Sequence, residues 1–65
     1  MVKNRLKEIR MKEYMMNMTQ FAEYLGIDIK LLSSWERGRS KPTLERALEI
    51  SKKLNKTVNE IWYLE

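Results

Sequence analysis

A glycine at position 26 separates two short stretches in which apolar residues recur at helical spacing. Glycine takes the left-handed conformation that ends a helix at little steric cost, so we expect the chain to turn at Gly26. Two short helices joined this tightly bury one face each and leave the opposite face of the second helix pointing outward. The positions that define the pattern are Phe21, Ala22, Leu25, Ile27, Leu32 and Trp35.

Capping residues extend this pattern to the whole chain. Helix formers dominate, and Gly and Pro together number three, so we expect no strands. Asn17 with Gln20, and Thr57 with Glu60, have the spacing of capping boxes. The sequence predicts a single all-α domain over residues 1–65, a compact bundle of five short helices. The predicted helices run from about Asn4 to Glu13, Asn17 to Gly26, Asp28 to Arg37, Thr43 to Leu54 and Thr57 to Leu64.

The composition argues against several classes of function. The chain contains neither cysteine nor histidine, so we expect no protein-built zinc or iron site, no cofactor and no enzyme activity. Glu36 is a lone carboxylate without a base beside it, which favours a structural role over a catalytic one. No apolar run is long enough to cross a bilayer and the first ten residues lack a secretory signal, so we expect a cytoplasmic protein.

The charge favours a nucleic-acid partner. Thirteen Lys and Arg against nine acids give a net charge of +4 and a pI near 9.6. Basic domains of this kind commonly bind phosphate backbones. Four of these cations fall within twelve residues around the second helix of the pair, and two acids oppose them. The four are Lys30, Arg37, Arg39 and Lys41.

Three stretches of sequence carry a family resemblance: Phe21-Ala22-Glu23-Tyr24-Leu25-Gly26-Ile27, Ser34-Trp35-Glu36-Arg37-Gly38-Arg39 and Lys41-Pro42-Thr43. Through them the chain resembles the Cro and phage-repressor type of helix-turn-helix regulators along nearly its whole length. The resemblance implies a lambda-repressor-like fold whose recognition helix, residues 28–37, enters the major groove of double-stranded DNA.

The resemblance also implies roles for individual residues. The outward positions of the recognition helix that would face bases are Ile29, Lys30, Ser33 and Ser34. The positions expected at phosphates are Asn17, Arg37, Arg39, Ser40, Lys41 and Thr43. Arg10 and Glu36 match a buried ion pair found in several relatives. Met18 stands where many relatives have a phosphate-contacting Gln, and the connection from Arg10 to Phe21 is one residue longer than usual.

Some side chains have two interpretations. Lys30 could donate to guanine, contact a phosphate or remain solvated. Ile29 and Leu31 cannot donate hydrogen bonds but could pack on thymine methyl groups, and Leu31 could instead extend the core. Trp35 could stack on a base, but its spacing from Leu32 favours the core.

The C-terminal tail places four apolar or aromatic residues in a row, Ile61, Trp62, Tyr63 and Leu64. A short helix cannot bury all four on one face, so we expect a dimer interface here. The alternative is that Trp62 and Leu64 cover the underside of the core. The function predicted from these features is a sequence-specific transcriptional regulator, a repressor that is a homodimer at least on DNA. The alternative is a protein-interaction role, such as an antitoxin or an antirepressor.

Overall fold

The computed structural model describes all 65 residues and contains five helices and two short strands. The predicted fold class, a mostly helical bundle, is confirmed. The first helix continues directly into a π-helical segment over Ile9–Tyr14. The elements in chain order are β1 (Val2–Asn4), α1 (Leu6–Glu8), α2 (Met18–Leu25), α3 (Ile29–Glu36), α4 (Leu44–Lys53), α5 (Val58–Ile61) and β2 (Trp62–Leu64).

The two ends of the chain form an antiparallel two-stranded sheet, with Val2 opposite Leu64 and Asn4 opposite Trp62. The expectation of no strands was therefore wrong, as were the first helix beginning at Asn4 and the last one reaching Leu64. The helix α5 stops because Trp62 is extended, with φ −111° and ψ 137°. Arg5 N–H then donates to the Ile61 carbonyl at 2.8 Å, a pairing between chain ends that local sequence periodicity cannot reveal.

The first helix begins two residues after the predicted start and ends at Tyr14. Asn4 still stabilises the start of this helix, because the Asn4 Oδ1 atom accepts a hydrogen bond from Leu6 N–H at 3.1 Å. The Asn4 amide group also donates to the Trp35 carbonyl at 2.8 Å, which ties the N-terminus to α3. At the other end, Met15 takes a left-handed conformation with φ 51° and closes the π-helical segment.

The two predicted capping boxes are confirmed, and side chains also cap the other two helices. Both capping boxes form, with Asn17 Oδ1 accepting from Gln20 N–H at 2.8 Å and Thr57 Oγ1 accepting from Glu60 N–H at 3.3 Å. Hydrogen bonds with Thr57 hold the pKa of the Glu60 carboxyl below its usual range, and the bond from the Thr57 backbone N–H has the largest effect. Thr43 caps α4 by accepting from Arg46 N–H at 3.2 Å.

The core contains the face of the α2–α3 pair that the sequence predicts. Trp35 packs edge-on against Trp62, with ring centroids 6.4 Å apart. On α4, Leu44 and Leu48 share the apolar periodicity of the helix but remain exposed. The buried apolar residues are Leu6, Ile9, Phe21, Ala22, Leu25, Leu32, Trp35, Ala47, Ile50, Leu54, Ile61 and Trp62. None of the helices combines the length and the apolar character needed to span a membrane.

Candidate nucleic-acid interface

The turn between α2 and α3 fixes the direction in which α3 leaves the domain. Gly26 has φ +73°, the left-handed conformation that the sequence predicts there. Ile27 N–H donates to the Ala22 carbonyl at 3.0 Å, so the end of α2 is closed by backbone hydrogen bonds. Two residues later, the Asp28 carboxylate accepts from Lys30 N–H at 2.7 Å and starts α3. The turn is thus held on both sides.

A lysine from α4 reinforces this turn, and the sequence interpretation missed it. The Lys53 ammonium donates to the Leu25 carbonyl at 3.0 Å, at the negative end of the α2 dipole. The Tyr24 hydroxyl donates in return to the Lys53 carbonyl at 3.1 Å. These contacts join residues nearly thirty positions apart, so no local pattern could have identified them.

The helix α3 has two distinct faces. Leu32 and Trp35 are buried, whereas Ile29 is 41% exposed and Lys30 is exposed. Ser33 and Leu31 are half-buried at the margins. Leu31 packs against the core, which agrees with the second of its two interpretations.

Arg37, which ends α3, lies on the outward face in line with Lys30. Seven residues are close to two helical turns, so the two side chains leave the helix in nearly the same direction. Arg37 is exposed, as are Arg39 and Lys41 in the loop that follows. All four cations of the basic segment, on α3 and in the loop that follows it, are therefore exposed.

The two serines differ from the other outward residues because they are tied to each other. Ser34 and Ser40 are half-buried, and their hydroxyl oxygens are 2.7 Å apart in a hydrogen bond. This bond connects the outward face of α3 to the basic loop. A hydroxyl in such a bond can still accept or donate once more.

Asn17 begins α2 from an exposed position. Its backbone N–H donates to Gln20 Oε1 at 2.9 Å, while its side-chain oxygen accepts from Gln20 N–H. The side-chain Nδ2 group stays outside this capping box and can donate to a ligand. Anions are favoured at such a helix start by the exposed amides and the helix dipole.

Arg10 and Glu36 form a two-pronged ion pair that supports the C-terminal end of α3. Arg10 Nε lies 2.9 Å from Glu36 Oε2, and Arg10 Nη2 lies 3.1 Å from Glu36 Oε1. Their side chains are only 10% and 4% exposed. Arg10 also donates to the Met16 carbonyl at 3.2 Å, so the pair anchors the longer connection before α2 as well.

A helix-turn-helix family model matches residues 6–61, which include α2, α3 and the ion pair. The chain belongs to the helix-turn-helix family of the Cro and phage-repressor type. No curated protein matches the sequence significantly. Membership makes this chain a DNA-binding helix-turn-helix regulator. No group of three or more acidic side chains in this helix-turn-helix domain is arranged to hold a metal ion.

The tail of the helix-turn-helix domain is divided between core and surface. Ile61 and Trp62 are buried within the chain's own core. Tyr63 is half-buried beneath the Arg5 guanidinium, whose carbon lies 4.1 Å from the ring centroid. Leu64 is the exposed apolar residue of the four. Trp62 therefore covers the core as one of the two sequence interpretations has it, whereas Leu64 does not.

Proposed function

We propose that this helix-turn-helix protein is a sequence-specific repressor that binds a roughly palindromic operator as two copies, each placing α3 in the major groove. The observation that carries the proposal is the two-faced α3. Its buried side is fixed by Leu32 and Trp35, and its outward side presents Ile29 and Lys30 beside an exposed basic loop. The major groove, about 12 Å wide, admits a helix held in this way.

Base reading is assigned to the outward face of α3. Lys30 can donate to O6 and N7 of guanine, and Ile29 can pack on a thymine methyl group. Ser33 lies at the margin of the same face. Ser34 is assigned to it too, although its bond to Ser40 limits its reach and favours a base edge or phosphate close to the helix.

Phosphate contacts are assigned to the residues that flank this face. The exposed Arg39 and Lys41 carry charge without fixed partners in the chain, which suits a phosphate backbone. Thr43 begins α4 next to them, where backbone amides favour an anion. The full set proposed at phosphates is Asn17, Arg37, Arg39, Ser40, Lys41 and Thr43.

Repression would follow from such binding where the operator overlaps a site that other proteins need, because occupation of the major groove excludes them from it. The proposal also fits the distribution of charge, since positive potential near α3 would speed the encounter with DNA. Regulation would then come from protein concentration, from a partner protein or from competition for the site.

Substitution of one base-facing and one loop lysine tests the assignment. We expect Lys30→Ala to change which base is preferred at one position of each half-site, by about 1–3 kcal/mol of discrimination. We expect Lys41→Ala to weaken binding to operator and random duplexes alike and to lower the salt dependence by about one phosphate contact. Binding curves on the operator, its single-base variants and a random duplex at several salt concentrations measure both. Equal losses on every duplex for both variants would contradict the division between reading and anchoring.

A protein-binding function is the second candidate, and one observation favours it. Ile29 is a large apolar side chain, 41% exposed, on the outward face of α3, where it could pack against a protein as well as a thymine. An antitoxin or antirepressor role would use this surface. Retained operator selectivity in Ile29→Ala, together with loss of a co-expressed protein partner, would support that candidate.

A further inference from the structure

The fourth helix exposes two leucines that the monomer does not use. Leu44 is 71% exposed and Leu48 is 52% exposed, although both stand on a helix whose Ala47, Ile50 and Leu54 are buried. Residues four apart lie on one helix face, so the two leucines form a continuous apolar strip. Exposed apolar patches of this kind mark contact surfaces more often than chance.

Charged residues of opposite sign lie on either side of Leu48 along the helix axis. Glu45 precedes it by three residues and Lys52 follows it by four, and both are exposed. At about 100° per residue, both lie on the same flank, offset from Leu48 by about 60° and 40°. Neither forms an ion pair within the chain, whereas Arg46 and Glu49, which lie farther round the helix from Leu48, pair with each other at 3.6 Å.

This pattern is complementary to itself under a two-fold rotation. If two α4 helices pack antiparallel with the symmetry axis beside Leu48, each Leu48 meets the partner's Leu48. Glu45 then lies beside the partner's Lys52, because their distances from Leu48 along the helix are about 4.5 and 6 Å. Leu44 falls opposite the partner's Ser51, a small residue that is buried in its own chain. A two-fold interface requires self-complementarity of this sort.

We propose that the exposed face of α4, formed by Leu44, Glu45, Leu48 and Lys52, is the surface through which two copies of this chain associate. The inference rests on the proposed function, since it names the contact between the two copies that bind the operator. The C-terminal tail offers less exposed apolar surface for a dimer contact, because Ile61 and Trp62 are already buried and Tyr63 is covered by Arg5. Two leucines per copy make a small interface, so the dimer is weak alone and is reinforced on DNA.

Charge reversal tests this interface without removing any apolar side chain. Sedimentation equilibrium measures the dimer dissociation constant of the unmodified chain, Glu45→Lys, Lys52→Glu and the double variant. Each single reversal places two like-charged pairs in the dimer, and we expect the dissociation constant to rise about tenfold or more. The double variant restores both opposite-charge pairs, and we expect a dissociation constant close to that of the unmodified chain.

Mixing the two single variants gives the sharpest result. A dimer of Glu45→Lys with Lys52→Glu contains a Lys–Glu pair on each side of the axis, so the equimolar mixture should associate more tightly than either variant alone. Glu23→Lys is the matched control, since it makes the same charge change at an exposed position of α2, outside the proposed face of α4, and should leave association unchanged. Circular dichroism confirms that each variant is folded.

Three outcomes would overturn the proposal. The first is a chain that stays monomeric up to about 1 mM. The second is a dimer that all these variants form equally well, and the third is a mixture no tighter than its components. Binding of each variant to a duplex with one half-site distinguishes a failure of the proposed interface from a failure of the proposed function. A monomer that still reads its half-site overturns the interface alone, whereas loss of reading in every chain, the unmodified one included, counts against the function.

Discussion

At the scale of single residues, the most consequential contact is the ion pair between Arg10 and Glu36. Both side chains are almost fully withdrawn from water, and each supplies two polar atoms to the other. Burial of either charge alone is costly, so the partners depend on each other. The pair joins the first helix to the end of α3 and so fixes the position of α3 in the domain.

Removal of one partner should therefore destabilise the domain strongly. We expect Glu36→Ala to lower the free energy of unfolding by about 3–5 kcal/mol, because the Arg10 guanidinium is left buried without a counter-charge. For so small a domain, a loss of that size approaches the whole stability. Urea unfolding followed by circular dichroism measures it. Glu49→Ala is the control, since its ion pair is exposed and should contribute less than about 1 kcal/mol. A similar small loss in both variants would refute this role for Glu36.

Residue types and spacing predicted part of the site but not the bonds between its members. The cations around α3 stand out in the sequence, and the structure leaves Lys30, Arg37, Arg39 and Lys41 exposed. The bond between Ser34 and Ser40 depends on the path of the loop, which the sequence pattern leaves open. Lys53 escaped notice because its partner, the Leu25 carbonyl, is a backbone atom that every residue carries.

At the scale of secondary-structure elements, the correct predictions were those that depend on residues close together in the sequence. The caps at Asn17, Asp28, Thr43 and Thr57 act within three residues, so their sequence patterns contain the whole interaction. The terminal strands were missed because each has three residues and its partner lies at the other end of the chain. The π-helical turns over Ile9–Tyr14 were missed for a related reason, since residue spacing gives no separate signal for a wider helix.

The capping box of α5 is the element feature best suited to a stability test. We expect Thr57→Ala to lower the free energy of unfolding by about 1 kcal/mol, because the Glu60 N–H loses its side-chain acceptor. Thr19→Ala is the matched control, since Thr19 is exposed within α2 and caps nothing; its effect should stay within about 0.5 kcal/mol. Equal effects of the two substitutions in thermal or urea unfolding would count against the box.

Glu60, the other residue of this capping box, should make the free energy of unfolding depend on pH. The pKa of Glu60 is lowered on folding from an ordinary value of 4.5, so its charged form stabilises the fold above that pH. This contribution is lost as pH falls through the lowered pKa of the folded state. Glu60→Gln keeps an acceptor but cannot titrate, so its unfolding free energy should fall less steeply on the acid side. An unchanged acid slope would contradict the assignment to Glu60.

At the scale of the whole molecule, the proposed DNA binding depends on the net charge of the domain and on the two-fold symmetry of the proposed dimer. The domain has a net charge of +4, and an exposed basic segment borders α3. The positive potential of these residues attracts any DNA duplex, and this attraction weakens as the salt concentration rises. Charge alone therefore gives affinity without selectivity. In the proposed function, selectivity comes from the outward face of α3, and two copies together read a palindrome. The proposed α4 interface supplies the symmetry that pairs the two recognition helices.

The most direct test is selection from a pool of random DNA duplexes by the unmodified chain at about 0.15 M salt, followed by sequencing. The account predicts enrichment of a palindrome whose half-sites are centred about one helical turn, or 10 base pairs, apart, as expected for two α3 helices on one side of the duplex. Binding without enrichment, weak and lost as salt is raised, would contradict sequence reading and direct attention to a protein that packs on Ile29.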